Sequence, residues 1–208
     1  SARVWDARNG QQLLMVKHNV RVGGAQWNHK EDRLLTWTSF GGDYYVRLWD
    51  AQTGQQLLSL PHNDDVNGAW WNRDESRILT WGRDYMVRIW DAQTGQQLLS
   101  LPHDDFVYGA QWNKDESRIL SWSEDGTARI WNAQSGEQLF ALNHDNGVYD
   151  AQWNSNEDQI LTTCRDKIAR VWDPETGRQL FFLADEFAES ARWYGNGHDI
   201  LTVSSNNT

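Results

Sequence analysis

The sequence contains little cysteine and no long apolar run. Cys164 is the only cysteine among 208 residues, so the chain cannot form an intramolecular disulfide. That is typical of proteins from a reducing compartment, and we expect a cytoplasmic protein. No apolar run approaches the roughly 20 residues that a membrane-spanning helix needs, so we expect no membrane partner.

Basic residues are also scarce. The 19 Lys and Arg residues are outnumbered by 29 Asp and Glu residues, which gives a formal net charge of −10. A surface that binds nucleic acid needs clustered Lys and Arg side chains that neutralise phosphates. We therefore predict no nucleic-acid partner.

Tryptophan and repetition are abundant instead. The chain has 14 Trp, each able to bury roughly 150–250 Å². The segment "VRIWDAQTGQQLLSL", which starts at Val87, repeats the segment that starts at Val46 with one substitution. Repetition at a fixed period indicates an architecture built by stacking one unit. Trp-Asp or Trp-Asn pairs mark the period and begin at Trp5, Trp49, Trp90, Trp131 and Trp172.

Each unit divides into four short apolar segments separated by polar turns. Between 107 and 142 the segments are "VYGAQWN", "RILSWS", "ARIWN" and "QLFAL". Turn residues interrupt every window long enough for a helix, so the units favour β-strands over helical repeats. Four antiparallel strands per unit predict an all-β fold, a β-propeller with five blades. We predict whole blades at about 20–60, 66–101, 107–142 and 148–183, and a seam blade that both termini share, from 188–204 and 2–16.

These motifs resemble the WD-repeat β-propeller family along the whole chain. The resemblance implies that, in each blade, a His bridges a turn Asp and a buried Ser or Thr, and that the Trp of the Trp-Asp pair completes this network. The final unit departs from the pattern, with Ala184 at the His position and Asn206 at the Asp position. Family members most often have seven blades, so five is a further departure. The matching residues are His18, Thr36, Asp43, Trp49, His62, Thr80, Asp84, Trp90, His103, Ser121, Asp125, Trp131, His144, Thr162, Asp166 and Trp172.

The repeated polar residues do not predict an enzyme. His62, His103 and His144 occur once per blade at equivalent places, so they cannot converge on one zinc ion. Every notable Ser, His and Asp recurs with the period, whereas a catalytic site needs a uniquely placed group. We predict no catalytic residue, no metal and no cofactor.

Residues that vary between units are the candidates for recognition. The family resemblance implies that two sets of these variable residues, each with one residue per unit, lie near the top rim of the propeller. Tyr and Arg, which occur in these sets, are typical of binding hot spots. Neutral variation at exposed positions is the alternative. A sector with little anchoring area carries Gly23, Gly42, Glu189 and Ser205. The predicted partner-binding residues are Asn67, Arg83, Tyr108, Glu124, Tyr149 and Arg165.

The resemblance implies a non-catalytic interaction scaffold that binds a protein or peptide on its top face. One alternative is a lectin-like propeller, which would need an aromatic and polar pair in every unit, although Tyr occurs at the rim in only two. Another is a sensor or regulatory segment of a larger bacterial signalling protein. We expect a monomer, with a strand-swapped oligomer as the alternative.

Overall fold

The computed structural model describes residues 1–183, 188–195 and 197–204. Every regular element in those ranges is a β-strand. The strands, in chain order, are β1 (Ala2–Trp5), β2 (Gln12–Val16), β3 (Val22–Trp27), β4 (Arg33–Thr38), β5 (Tyr45–Asp50), β6 (Gln56–Pro61), β7 (Val66–Trp71), β8 (Arg77–Gly82), β9 (Met86–Asp91), β10 (Gln97–Pro102), β11 (Val107–Trp112), β12 (Arg118–Ser123), β13 (Thr127–Asn132), β14 (Gln138–Asn143), β15 (Val148–Trp153), β16 (Ile160–Cys164), β17 (Ala169–Trp172), β18 (Gln179–Phe182), β19 (Ala188–Tyr194) and β20 (Asp199–Ser204).

Consecutive strands pair side by side in four four-stranded sheets. The first sheet is β3-β4-β5-β6, the second is β7-β8-β9-β10, the third is β11-β12-β13-β14 and the fourth is β15-β16-β17-β18. The strands β1 and β2 form a two-stranded sheet, as do β19 and β20. The twenty strands fit the predicted count of five blades, and the joining of the two short sheets into one seam blade stays a prediction.

The chain forms two compact units. The first unit is Ser1–Ser100 and the second is Leu101–Thr208. The first and second sheets belong to the first unit, apart from the last two residues of β10, and the third and fourth sheets belong to the second unit.

The turn between the third and fourth strands of a sheet is fixed by the Asp of the Trp-Asp pair. In the second sheet Asp91 Oδ1 accepts hydrogen bonds from the backbone N–H groups of Gln93 at 3.0 Å and Thr94 at 2.7 Å. Gly95 then adopts a φ of +73°, which favours glycine. An Asp side chain that bonds backbone two and three residues ahead stabilises a tight turn.

Each unit has its own apolar core between neighbouring sheets. In the first unit Leu35, Leu48 and Ile78 are almost fully buried and pack in one cluster with Trp90. In the second unit Leu120, Ile130, Leu142 and Ile160 form the corresponding cluster. The second strand of each sheet has at least three consecutive buried residues. Successive side chains on a strand point to opposite faces, so both faces of these strands are covered.

A glutamate in the turn between the first two strands of a sheet links neighbouring sheets within a unit. Glu75 Oε1 accepts a hydrogen bond from the backbone N–H of Lys30 at 3.1 Å. In the second unit Glu157 Oε1 accepts one from the backbone N–H of Lys114 at 2.5 Å. Both glutamates have a positive φ, 64° and 61°, which is uncommon for a residue with a side chain.

Candidate functional site

A buried hydroxyl group joins a histidine and a tryptophan in each of the four whole sheets. The His Nε2 atom lies 2.7–2.9 Å from the hydroxyl oxygen, and the indole N–H donates to the same oxygen at 2.8 Å. The four hydroxyl-bearing residues have no solvent exposure. The sets are His18, Thr36 and Trp49; His62, Thr80 and Trp90; His103, Ser121 and Trp131; and His144, Thr162 and Trp172.

The turn aspartate takes part in this network in the third sheet alone. There His103 Nδ1 lies 2.8 Å from Asp125 Oδ2, as the family resemblance implies. In the second and fourth sheets the same ring nitrogen faces a backbone carbonyl instead, that of Leu60 at 3.1 Å and that of Leu142 at 3.0 Å. The expectation that a His–Asp contact occurs in every blade is therefore corrected to one sheet of four.

The contacts of the turn aspartate also differ between the sheets. In the other three sheets the Asp pairs with the Arg four residues later, at 2.6–2.7 Å: Asp43 with Arg47, Asp84 with Arg88 and Asp166 with Arg170. In the third sheet Arg129 divides its donors between the Pro102 carbonyl, Asp104 at 2.6 Å and Asp125 at 3.0 Å. The third sheet also has Thr127 two residues after the Asp, and its hydroxyl donates to Asp125 Oδ1 at 2.7 Å.

We call the His, hydroxyl and Trp residues of these four sets the framework. Its histidines are held neutral. Burial lowers the pKa of His62 and of His144 to about 4. Burial also lowers the pKa of His103, although Asp125 opposes the shift. A neutral ring whose Nδ1–H donates to a carbonyl or carboxylate oxygen presents Nε2 as an acceptor for the hydroxyl proton. These histidines therefore satisfy buried hydrogen bonds. Within the described ranges no group of three or more His, Cys, Asp or Glu residues could hold a metal ion.

Four of the six predicted partner-binding residues come together in the second unit, and we call them the tyrosine cluster. It consists of Tyr108, Glu124, Tyr149 and Arg165. Tyr108 Oη donates to Glu124 Oε2 at 3.0 Å and accepts from Arg165 Nη2 at 3.2 Å. The two tyrosine rings have centroids 6.4 Å apart, and the Arg165 guanidinium lies 5.7 Å from the Tyr149 ring.

The cluster is partly exposed and electrically balanced. Tyr149 is 45% exposed, and the side chain of Arg165 is 46% exposed. Arg165 Nη1 lies 2.7 Å from Glu124 Oε1, so its charge is already paired. Tyr108 is only partly exposed, and burial together with the neighbouring Glu124 raises the pKa of its hydroxyl. The cluster thus offers aromatic area and hydrogen-bonding groups more than net positive charge.

The other two predicted partner-binding residues lie in the first unit. Asn67 is exposed on β7, and the Arg83 guanidinium lies 5.3 Å from the centroid of the Phe40 ring. In the sector with little anchoring area, Glu189 is exposed on β19. The position of these residues near the top rim of a propeller stays a prediction. Ala184, Ser205 and Asn206 lie outside the described residues.

Sequence reasoning missed two features. The first unit has a three-residue insertion around "SFGG". Phe40, in this segment, contacts Arg21 as well as Arg83. Asp150 replaces a glycine found in the first three sheets and pairs with Thr163, which replaces a tryptophan. Aligning the units by their period would have shown the exchange at Asp150 and Thr163, but not the contacts that Phe40 makes.

Taken together, the repeated four-stranded antiparallel sheets, each with its His, hydroxyl and Trp network, define an all-β protein of the β-propeller class. A solved structure of the computationally designed Ika8 protein superimposes with a TM-score of 0.80 over 97% of this chain, at 22% identity. This chain covers 61% of that protein's length, and at such low identity the likeness shows the fold alone.

No helix in the described residues is long and apolar enough to cross a membrane.

The sequence comparison then gives the family. The family model for the WD domain, G-beta repeat, matches residues 54–91, 95–132 and 136–173. These three segments make up more than half of the chain, which therefore belongs to the WD40 repeat family, as the sequence motifs predicted. None of the curated proteins compared matches the sequence significantly. WD40 repeats are typical of protein-interaction scaffolds.

Proposed function

We propose that this protein is a non-catalytic scaffold that binds a protein or peptide at the tyrosine cluster. The observation that carries the proposal is the contrast between this cluster and the rest of its unit. The His, hydroxyl and Trp side chains recur in the four whole sheets and are buried or partly buried, whereas Tyr149 and Arg165 are partly exposed at positions that vary between repeats. Proteins with the same fold can have different functions, because function resides in such a site.

The chemistry of the cluster favours a peptide with apolar and hydrogen-bonding side chains. A tyrosine offers a large rigid surface at a low entropic cost, and Tyr, Trp and Arg are enriched in binding hot spots. Glu124 already neutralises Arg165 at 2.7 Å. An acidic partner residue would have to compete with this contact, so the tyrosine rings supply the anchoring area.

Partner capture with matched variants tests the proposal. Immobilised wild-type protein, a Tyr149→Ala variant and a Tyr194→Ala variant would be exposed to lysate of the source cells. The captured proteins would then be quantified by mass spectrometry. Tyr194 is 68% exposed in the same unit, so its substitution controls for the loss of an exposed tyrosine.

We expect Tyr149→Ala to lose a specific partner that the wild type and Tyr194→Ala retain, with an unchanged melting temperature. With that partner purified, Tyr149→Ala should weaken binding by at least about 1 kcal/mol. Tyr108→Phe keeps the ring but removes its bonds to Glu124 and Arg165, and should have a smaller effect. Identical captured proteins for all variants, or unfolding of Tyr149→Ala, would contradict the proposal.

A further inference from the structure

The first unit contains an exposed aromatic residue between two guanidinium groups, which we call the Phe40 site. Arg21 lies 5.7 Å and Arg83 lies 5.3 Å from the centroid of the Phe40 ring, within the range of cation–π contacts. The ring is 56% exposed, and Arg21 is exposed as well. An exposed aromatic ring beside two guanidinium groups offers a partner both apolar area and hydrogen-bond donors.

The backbone holds Phe40 in an unusual conformation. Its φ is 60°, a left-handed value that is uncommon for a bulky residue. The Phe40 N–H donates to Asp65 Oδ1 at 2.7 Å, and Gly41 and Gly42 complete the loop with positive φ angles of 138° and 79°. Left-handed conformations of non-glycine residues persist where surrounding structure holds them, and they concentrate at functional sites.

Two arginines at equivalent positions of the repeat, Arg83 and Arg165, have different neighbours. Arg83 and Arg165 each directly precede the turn Asp of their repeats. Arg165 meets the carboxylate of Glu124 from the preceding sheet, whereas Arg83 meets the Phe40 ring from its preceding sheet. The Phe40 site therefore places the guanidinium groups of Arg21 and Arg83 beside one ring, and the largely buried Asp65 holds the backbone of the loop.

We propose that the Phe40 site binds an acidic segment of a partner protein that also carries an apolar side chain. Stacking uses the face of a guanidinium, while its N–H donors lie in the plane and suit a carboxylate. Within the described part of the chain, no carboxylate lies within ion-pair distance of Arg21. The Phe40 ring provides the apolar surface between the two charges. This site is separate from the tyrosine cluster, and the inference goes beyond the proposed function.

Fluorescence anisotropy with synthetic peptides tests this proposal. The probe is a fluorescein-labelled peptide of glutamate, phenylalanine, serine and glycine, and its control has lysine in place of every glutamate. The protein variants are Phe40→Ala and Arg21→Gln. Arg8→Gln is the matched control, because Arg8 is an exposed arginine of the same unit that pairs with Asp6.

We expect the wild type to bind the acidic peptide more tightly than the basic one, despite its own negative charge, and to bind less tightly as salt screens the interaction. Phe40→Ala and Arg21→Gln should each weaken binding at least about ten-fold, whereas Arg8→Gln and Tyr149→Ala should leave it unchanged. Unchanged binding in Tyr149→Ala separates this site from the proposed function.

Two results would overturn the proposal. One is an acidic peptide that binds no more tightly than the basic peptide. The other is an Arg21→Gln curve that coincides with that of Arg8→Gln. Circular dichroism of each variant establishes that it is folded, and Arg21→Gln keeps the test decisive if Phe40→Ala unfolds, because Arg21 is an exposed side chain on the loop before β3.

Discussion

The third and fourth sheets lie side by side in the second unit and share one framework, yet they differ at two places. In both, a buried hydroxyl joins a histidine and a tryptophan at 2.7–2.8 Å. The third sheet adds the contact from His103 to Asp125, which the fourth replaces with a backbone carbonyl. The hydroxyl and Trp contacts are thus common to the sheets, while the aspartate contact differs between them.

The second difference is a paired exchange of side chains on the first two strands. In the third sheet Gly109 faces Trp122, and a Cβ atom at Gly109 would lie 2.0 Å from Trp122 Cζ2. In the fourth sheet Asp150 faces Thr163. A residue with a Cβ and an indole cannot share this space, so the glycine and the tryptophan must change together.

The largest loss of stability is expected from adding a Cβ atom at Gly109 in the third sheet. Gly109→Ala should lower the free energy of unfolding by roughly 2–3 kcal/mol, because the indole must leave its position in a packed core. Asp150→Ala, at the equivalent place in the fourth sheet, should change it by less than half as much. Chemical denaturation of both variants measures this, and equal losses would contradict the steric account.

Loss of a framework histidine should be more costly in the third sheet than in the fourth. His103→Ala removes one hydrogen-bond partner each from Ser121 and Asp125, two side chains that are buried, and should lower the free energy of unfolding by about 2–3 kcal/mol. His144→Ala removes one partner each from Thr162 and the Leu142 carbonyl, and should lower it by about 1–2 kcal/mol. Urea titrations of the two variants test the order, and adding a chelator to the wild type should not change its melting temperature.

The framework histidines should also make the fold sensitive to acid. In the folded state the pKa of His144 is lowered to about 4, below the unfolded value near 6.5. The unfolded chain therefore binds the proton first, and stability is fully present above about pH 6.5 and is lost as the pH falls towards 4. His144→Gln should flatten this dependence in denaturation curves recorded across that range. An unchanged slope would show that His144 is not held neutral.

Asp150 should have a smaller influence on the pH dependence of stability, and its influence should stabilise the fold as the pH falls. Burial raises the pKa of this carboxyl group, so its charged form destabilises the fold above the folded pKa, and this cost disappears as the pH falls through that value. Asp150→Asn removes the charge but keeps an oxygen for Gln152 Nε2, which lies 2.5 Å away. The melting temperature of this variant should be slightly higher than that of the wild type at neutral pH and equal to it in acid. A lower melting temperature at neutral pH would contradict this assignment.

Turn residues and the period of the repeat predicted the four-stranded units, and the resemblance to the WD-repeat family implied the His, hydroxyl and Trp network. The sequence could not predict which partner each Asp takes. In the third sheet Arg129 also bonds Pro102 and Asp104, and Thr127 bonds Asp125. Such contacts depend on where the loops lie in the folded protein. The Phe40 contacts were also missed, since the path of an inserted loop is not set by the period of the repeat.

A double-mutant cycle tests most directly whether the third and fourth sheets differ in their aspartate contact. The free energy of unfolding would be measured for His103→Ala, Asp125→Ala and the double variant, and for the matching set at His144 and Asp166. We predict a coupling energy of about 1–3 kcal/mol between His103 and Asp125 and one near zero between His144 and Asp166. Equal coupling energies in the two sheets would contradict the account.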